Sequence, residues 1–153
     1  MVWEIRLDDV SAADTRALVT AHVSRMRENT PPESCHALDA DALLDGGALL
    51  WSARVEGELA GIGALAPWGE DAGELKSMRV TEQFLGQGVG RAILRHIMNE
   101  ARGRGIRSLW LETGSGDDFL AARGLYRSEG FVECGPFGSY RPDPLSTFMM
   151  REL

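Results

Sequence analysis

Cysteine is scarce in this chain of 153 residues: Cys35 and Cys134 are the whole complement, with no CxxC pair and no His/Cys spacing of the zinc type. Neither a disulfide framework nor a structural metal is expected, and a reducing compartment is. Lysine is missing from residues 1–75 altogether, where 5 Arg stand against 14 Asp and Glu. No uncharged apolar run approaches the roughly 18 residues of a membrane span, and Glu4, Asp8, Asp9 and Asp14 fall where a secretory leader would be apolar. The expected location is cytoplasmic. No internal repeat, low-complexity tract or linker interrupts the chain, so a single domain over residues 1–153 is expected. With 44% hydrophobic residues, a chain of this length buries roughly two thirds of its unfolded surface without covalent help.

The formal charge of −7 argues against nucleic-acid binding through overall charge and against an anionic membrane surface. Its distribution says more than its sum. Residues 1–75 carry −9, residues 76–127 hold 9 basic against 5 acidic side chains, and the remainder holds 2 against 4. A basic middle in an acidic chain suits an anionic ligand held there, with the acidic part left to face something neutral or cationic. A solvated helical face would give the same pattern.

Periodicity orders the elements. Val2 to Leu7 alternates as a strand, and Ser11 to Glu28 has helical spacing through Leu18, Val19, His22 and Val23, with Asp8, Asp9 or Ser11 as caps. A short helix is expected within Ala37 to Leu44. Ala48 to Val55 and Glu58 to Pro67 flank Glu56-Gly57, a tight-hairpin signal. Glu74 to Val80 is a strand, and Val89, Ile93, Leu94, Ile97 and Met98 mark one face of the helix after it. Ser108 to Glu112 is a strand, Asp117 to Glu129 a helix stopped by Gly130, and Phe131 to Glu133 and Thr147 to Glu152 close the chain as strands. The methionines, Trp51 and Trp110 are read as core. The order implies an α+β sandwich: a central mixed, mostly antiparallel sheet flanked by helices.

Chemistry concentrates at Leu85-Gly86-Gln87-Gly88-Val89-Gly90-Arg91, where a strand delivers a glycine-rich turn to a helix start. Such a turn presents unpaired N–H groups and the positive end of a helix dipole to one point, which is a seat for phosphate. The Walker pattern is excluded because no Gly-Lys pair occurs, and the dinucleotide pattern fails because its last position falls on Arg91 or Ile93. The spacing is GxGxG. A helix start that holds no ligand can look the same.

With Gly88 and Gly90 in that turn, and Leu125-Tyr126-Arg127-Ser128-Glu129-Gly130-Phe131 after the next helix, the chain resembles the GNAT superfamily of acyl-CoA-dependent N-acetyltransferases. The likeness is strongest over residues 48–133. It is narrower still to the small bacterial YsnE-like subgroup, through Glu74 to Arg79, Leu111 to Gly114 and Cys134 to Met149. Two positions depart from the superfamily signature. Leu85 stands where Arg or Gln is usual, leaving Gln87 and Arg91 to compensate, and Phe119 stands where Asn often begins the following helix.

The resemblance implies the GNAT fold, acetyl-CoA as co-substrate and no metal. It places the cofactor on Met78, Arg79, Val80 and the turn Gly86, Gln87, Gly88, Val89, Gly90 and Arg91, with a strand bulge freeing an N–H as oxyanion donor. Tyr126 is implied as the acid that protonates the leaving thiolate. Glu74 is a candidate base, directly or through water, although a solvated carboxylate at a strand entry is the plain alternative. The acceptor pocket is expected between the segment after the first helix, with Glu33, Ser34, His36 and Asp39, and the last loop, with Tyr140, Arg141 and Asp143. A small-molecule amine fits, with Arg141 reading a carboxylate, and the resemblance leaves room for a homodimer. The competing functions are a catalytically silent acyl-CoA-binding regulator and a structural interaction domain with no cofactor.

Overall fold

The computed structural model describes residues 2–29 and 40–153. Strand β1 (Glu4–Leu7) leads to helix α1 (Ala13–Asn29), whose start is held by aspartates: Asp8 accepts from the Val10 N–H at 2.7 Å and from the Thr15 hydroxyl at 2.9 Å. The short helix α2 (Ala40–Asp45) precedes β2 (Leu49–Val55) and β3 (Glu58–Trp68). These two strands pair antiparallel around Glu56 and Gly57, whose φ values of 51° and 81° are those of the tight turn that matches strand twist. Then come β4 (Ala72–Val80), α3 (Val89–Gly103), β5 (Ser108–Gly114), α4 (Leu120–Ser128), β6 (Val132–Cys134) and β7 (Ser146–Glu152). The element order is the one the periodicity implies. The residues just before α4, Asp117–Phe119, form a 3-10 turn rather than its first α turn.

All seven strands form one sheet in the order β1-β2-β3-β4-β5-β7-β6. Every pairing is antiparallel except β4 with β5, which the crossover through α3 makes parallel. One face packs on α3 and α4 through Trp51, Leu75, Ile93, Leu94, Ile97, Leu109, Leu111, Tyr126 and Met149. The other carries Leu50, Ile62 and Ala64 against Val19 of α1 and Leu43 of α2. Glycine lets α3 lie close on the sheet: a Cβ on Gly63 would come within 2.7 Å of Ile93 and of the Met78 sulfur.

Two irregularities break the regular ladder at the centre of the sheet. Between the pairs Ile62↔Arg79 and Ala64↔Lys76, one residue of β3 opposes two of β4, so Ser77 and Met78 form a bulge, with Ser77 at φ 54°. The parallel pairing of β4 with β5 covers Ala72↔Ser108 to Leu75↔Leu111 and goes no further, although β4 runs on to Val80 and β5 to Gly114. Past Leu75 the two central strands part as a fork.

Candidate active site

The fork has two sides because side chains alternate along each strand. On the side of α3 and α4 it opens into a cleft of about 630 Å³ lined by Met78, Arg79, Val80, Glu82, Leu85, Gly90, Asp118, Phe119, Ala121, Ala122, Leu125 and Tyr126. At its mouth α3 begins on Gly88, which is left-handed at φ 89°, and no side chain caps the helix. The first intrahelical bond of this turn runs from the Ala92 N–H to the Gly88 carbonyl at 3.0 Å, so the N–H groups before it are the orphans of the helix start. Gly86 is also left-handed, at φ 73°, and a Cβ at either glycine would meet nothing within 4 Å. Steric room and free donors coincide there.

The expected cofactor residues divide into three groups. Met78, Arg79, Val80 and Gly90 line the cleft. Gly86 and Gly88 shape its mouth, while the Val89 side chain is buried beneath α3 and offers only its backbone. Gln87 turns its amide back to the Gln83 carbonyl at 3.2 Å, and Arg91 pairs with Glu129 and with the Ser128 hydroxyl at 3.0 Å. Arg95 meets the same Glu129 oxygen at 2.9 Å, and these bonds hold the Glu129 carboxyl below the usual range. Leu85 presents an exposed apolar side chain to the cleft.

Tyr126 reaches the cleft from α4 with its ring against Phe131, centroids 5.8 Å apart. Burial pushes its phenol well above the ordinary value, which keeps the proton on the oxygen. Phe119 covers the end of β5: a Cβ on Gly114 would lie 2.1 Å from its ring. Arg123, buried, ties that end to α4 by donating to the carbonyls of Gly114 at 2.7 Å and Gly116 at 2.9 Å. A buried guanidinium in a helix reads as surface charge in a sequence, and nothing local marks it.

The opposite side is built from side chains. Glu74, Lys76, Trp110, Glu112 and Phe148 alternate with the core residues Leu75, Leu109, Leu111 and Met149 and so point away from α3. Glu74 is only 13% exposed and Lys76 14%, the two ion-paired at 3.0 Å. The Lys76 ammonium also donates to the Tyr140 hydroxyl at 3.1 Å, and that hydroxyl donates to the same Glu74 oxygen. Burial, then the charges of Glu74 and Glu112, push the Tyr140 phenol far above its ordinary value. Trp68 and Trp110 stack at 5.3 Å beside Phe137, Tyr140 and Phe148. Glu74 is thus an internal carboxylate rather than a solvated strand entry, and Trp110 belongs to this aromatic wall rather than to the core.

Helix α1 packs on this same face of the sheet. His22 is mostly buried, with Nδ1 unpartnered among the described residues, and burial together with Arg79 lowers its pKa to about 4. Of the remaining expected acceptor residues, Arg141 is exposed, and Glu33, Ser34, His36 and Asp39 lie outside the described residues. Among the described residues no group of His, Cys, Asp and Glu could hold a metal ion, and no helix is long and apolar enough to cross a membrane. Cys134 is partly buried, which raises its thiol pKa.

A strand fork with a bulge on one arm and an uncapped helix start beside it can hold an extended, phosphate-bearing acyl carrier on one side and an acceptor on the other. The sequence profile of the acetyltransferase (GNAT) family matches residues 16–131. The chain belongs to that family. This acetyltransferase is 44% identical over 149 residues to the uncharacterized N-acetyltransferase YsnE of Bacillus subtilis, covering 97% of this chain and 99% of the relative. To the uncharacterized N-acetyltransferase YedL of Escherichia coli it is 43% identical over 152 residues, covering 99% and 96%. A solved Klebsiella pneumoniae structure described as an acyl-CoA N-acyltransferase superposes with a TM-score of 0.80 at 29% identity, covering 99% of this chain and 98% of that one. The acetyltransferase thus has the fold and the enzyme class implied by its glycine turn and its Tyr126 segment.

Proposed function

We propose that this acetyltransferase moves the acetyl group of acetyl-CoA directly to the amine of a small, amino-acid-like metabolite. The observation that carries the reading is the two-sided fork: a backbone-lined cleft with free helix N–H groups on one side, and an internal carboxylate on the other. A structure of the same fold from Elizabethkingia anophelis, at a TM-score of 0.73 and 19% identity, has acetyl-CoA bound. A relative from Azospirillum brasilense, 43% identical over 125 residues, is an IAA acetyltransferase.

Acetyl-CoA supplies an activated thioester when bound. The turn Gly86 to Arg91 holds its phosphates through N–H groups and the α3 dipole. Met78, Arg79 and Val80 lie along its arm, and an N–H of the bulge at Met78 donates to the thioester oxygen as negative charge builds there. An amine with a lysine-like pKa of about 10.4 is neutral in only about one molecule in 2500 at pH 7, so Glu74 takes the ammonium proton. Tyr126, whose side chain lines the cleft, gives its proton to the departing thiolate. Both reactants are present together, so proximity supplies much of the rate and no covalent enzyme intermediate is needed.

Calorimetry with acetyl-CoA, followed by thiol release over a panel of amines, tests the reading. Micromolar-class binding with release on a small amine is expected. Binding without release on any amine would leave a silent acyl-CoA binder. Release confined to peptide or protein amines would overturn the small-molecule acceptor.

A further inference from the structure

Lys76 is the only lysine of the chain, and it is spent inside the molecule. A buried ion pair adds little net stability over apolar side chains of the same volume, because both charges are stripped of water. Stability is therefore a weak reason for Glu74 and Lys76 to sit together. Their location is more specific: Lys76 is the first residue of β4 past its last pair with β5, at the apex of the fork and on the side away from α3.

Each partner keeps one bonding direction open. An ammonium has three donors; Glu74 Oε2 takes one at 3.0 Å, the Tyr140 hydroxyl another at 3.1 Å, and the third has no partner among the described residues. Glu74 accepts both of its bonds at Oε2, which leaves Oε1 without a partner among those residues. A positive and a negative group thus lie side by side, each with a bonding site that no described residue fills, against the aromatic wall of Trp110, Phe137 and Phe148. That arrangement is the complement of a zwitterion.

We propose that the Glu74–Lys76 pair is the receptor for the acceptor's own two charges: it takes a small apolar or aromatic amino acid, ammonium on Glu74 Oε1 and carboxylate on Lys76 Nζ. The assignment rests on the acetyl-transfer reading and moves carboxylate recognition from Arg141, which is exposed, to the part-buried lysine. Glu74 accepts one ammonium proton, and the freed nitrogen lone pair forms the N–C bond to the acetyl carbon. The C–S bond breaks, and its electron pair stays on sulfur, which takes the Tyr126 proton. The nitrogen loses its second proton as the C–S bond breaks, and that proton returns through water to the Tyr126 phenolate; the products are the N-acetyl amino acid and CoA, and Glu74 then loses its proton to water.

The test compares phenylalanine with phenethylamine, and leucine with isoamylamine, as acceptors. The wild type should favour the amino acid by about tenfold or more in kcat/KM, as expected for a charge-assisted contact. Lys76→Gln, which keeps an N–H donor for Glu74 and Tyr140, should bring the ratio near one through the amino acid's KM, with the acetyl-CoA KM unchanged. Lys76→Arg should keep the preference. Equal losses on both substrates in Lys76→Gln, or collapse of the ratio in Arg141→Ala instead, would overturn the assignment. A second readout needs no variant: in protein labelled with 15Nζ-lysine the single side-chain resonance should shift on adding phenylalanine and stay in place with phenethylamine. No shift with phenylalanine would overturn the assignment even if acetyl transfer occurs, whereas a shift without thiol release keeps it and overturns the transfer reading.

Discussion

The two sides of the fork are made of different material. On the side proposed for the cofactor the features are backbone: the left-handed glycines at 86 and 88, the uncapped start of α3, and the bulge at Ser77–Met78, with an apolar wall behind them. On the acceptor side they are side chains joined across the fold, Glu74 and Tyr140 bonding over 66 positions of sequence. A backbone site tolerates changes of side chain as long as the chain path is kept, which is why Leu85 and Phe119 can stand where polar residues are usual. A side-chain site changes its ligand with each substitution. On the proposed reading, the family's common chemistry belongs to the first side and the choice of acceptor to the second.

The contrast can be broken most sharply at Tyr126, the one cofactor-side residue asked to act through its side chain. Tyr126→Phe removes a proton donor and almost no volume, so acetyl-CoA affinity by calorimetry should persist while kcat falls by about 10²–10⁴. Wild-type turnover would reduce the tyrosine to packing. Gly63→Ala strikes the β3 residue that the bulge opposes. Its Cβ meets Ile93 and the Met78 sulfur at 2.7 Å, and overpacking of this kind costs about 1–3 kcal/mol. Urea unfolding reads that loss, and acetyl-CoA affinity should fall with it as Met78 moves.

The acceptor side should respond to pH through His22. Its pKa is lowered from 6.5 to about 4 by burial and by Arg79, so between those values the unfolded chain binds a proton that the native protein refuses. The contribution is complete above pH 6.5 and is lost as pH falls toward 4, amounting to roughly 2 kcal/mol between pH 7 and 5. Urea unfolding should show wild type losing stability relative to His22→Leu by that amount over this interval, and a constant difference would refute the buried neutral imidazole. The smallest expected effect is at the helix start. Gly88→Glu brings a carboxylate into the phosphate seat and should weaken acetyl-CoA about tenfold. Gly88→Ala, which adds strain at φ 89° without charge, should weaken it less.

Strand and helix positions were legible because each rests on local pattern. The alternation in Glu58–Trp68, the helical face of Val89, Ile93 and Ile97, and the Glu56-Gly57 turn all fall where periodicity and turn chemistry put them. The glycine turn was legible for the same reason, since Gly86 and Gly88 before a helix start leave room for left-handed backbone. Lys76 carried a readable hint, because residues two apart in a strand share a face and Glu74 precedes it by two. Arg123 and the aromatic wall carried none: a helix arginine looks solvated, and Trp110 looks like core.

The sequence by itself determined the order of elements, the place of the phosphate turn and the family, because backbone preferences act over a few residues and are written where they act. Tertiary structure alone decided which carboxylate became internal, that Tyr140 closes on Glu74 and Lys76, that Arg141 faces outward, and where β4 and β5 part. Those outcomes depend on burial and on contacts between segments far apart in the chain, and the desolvation that gives them their energies does not exist until the sheet and its covering loop are in place.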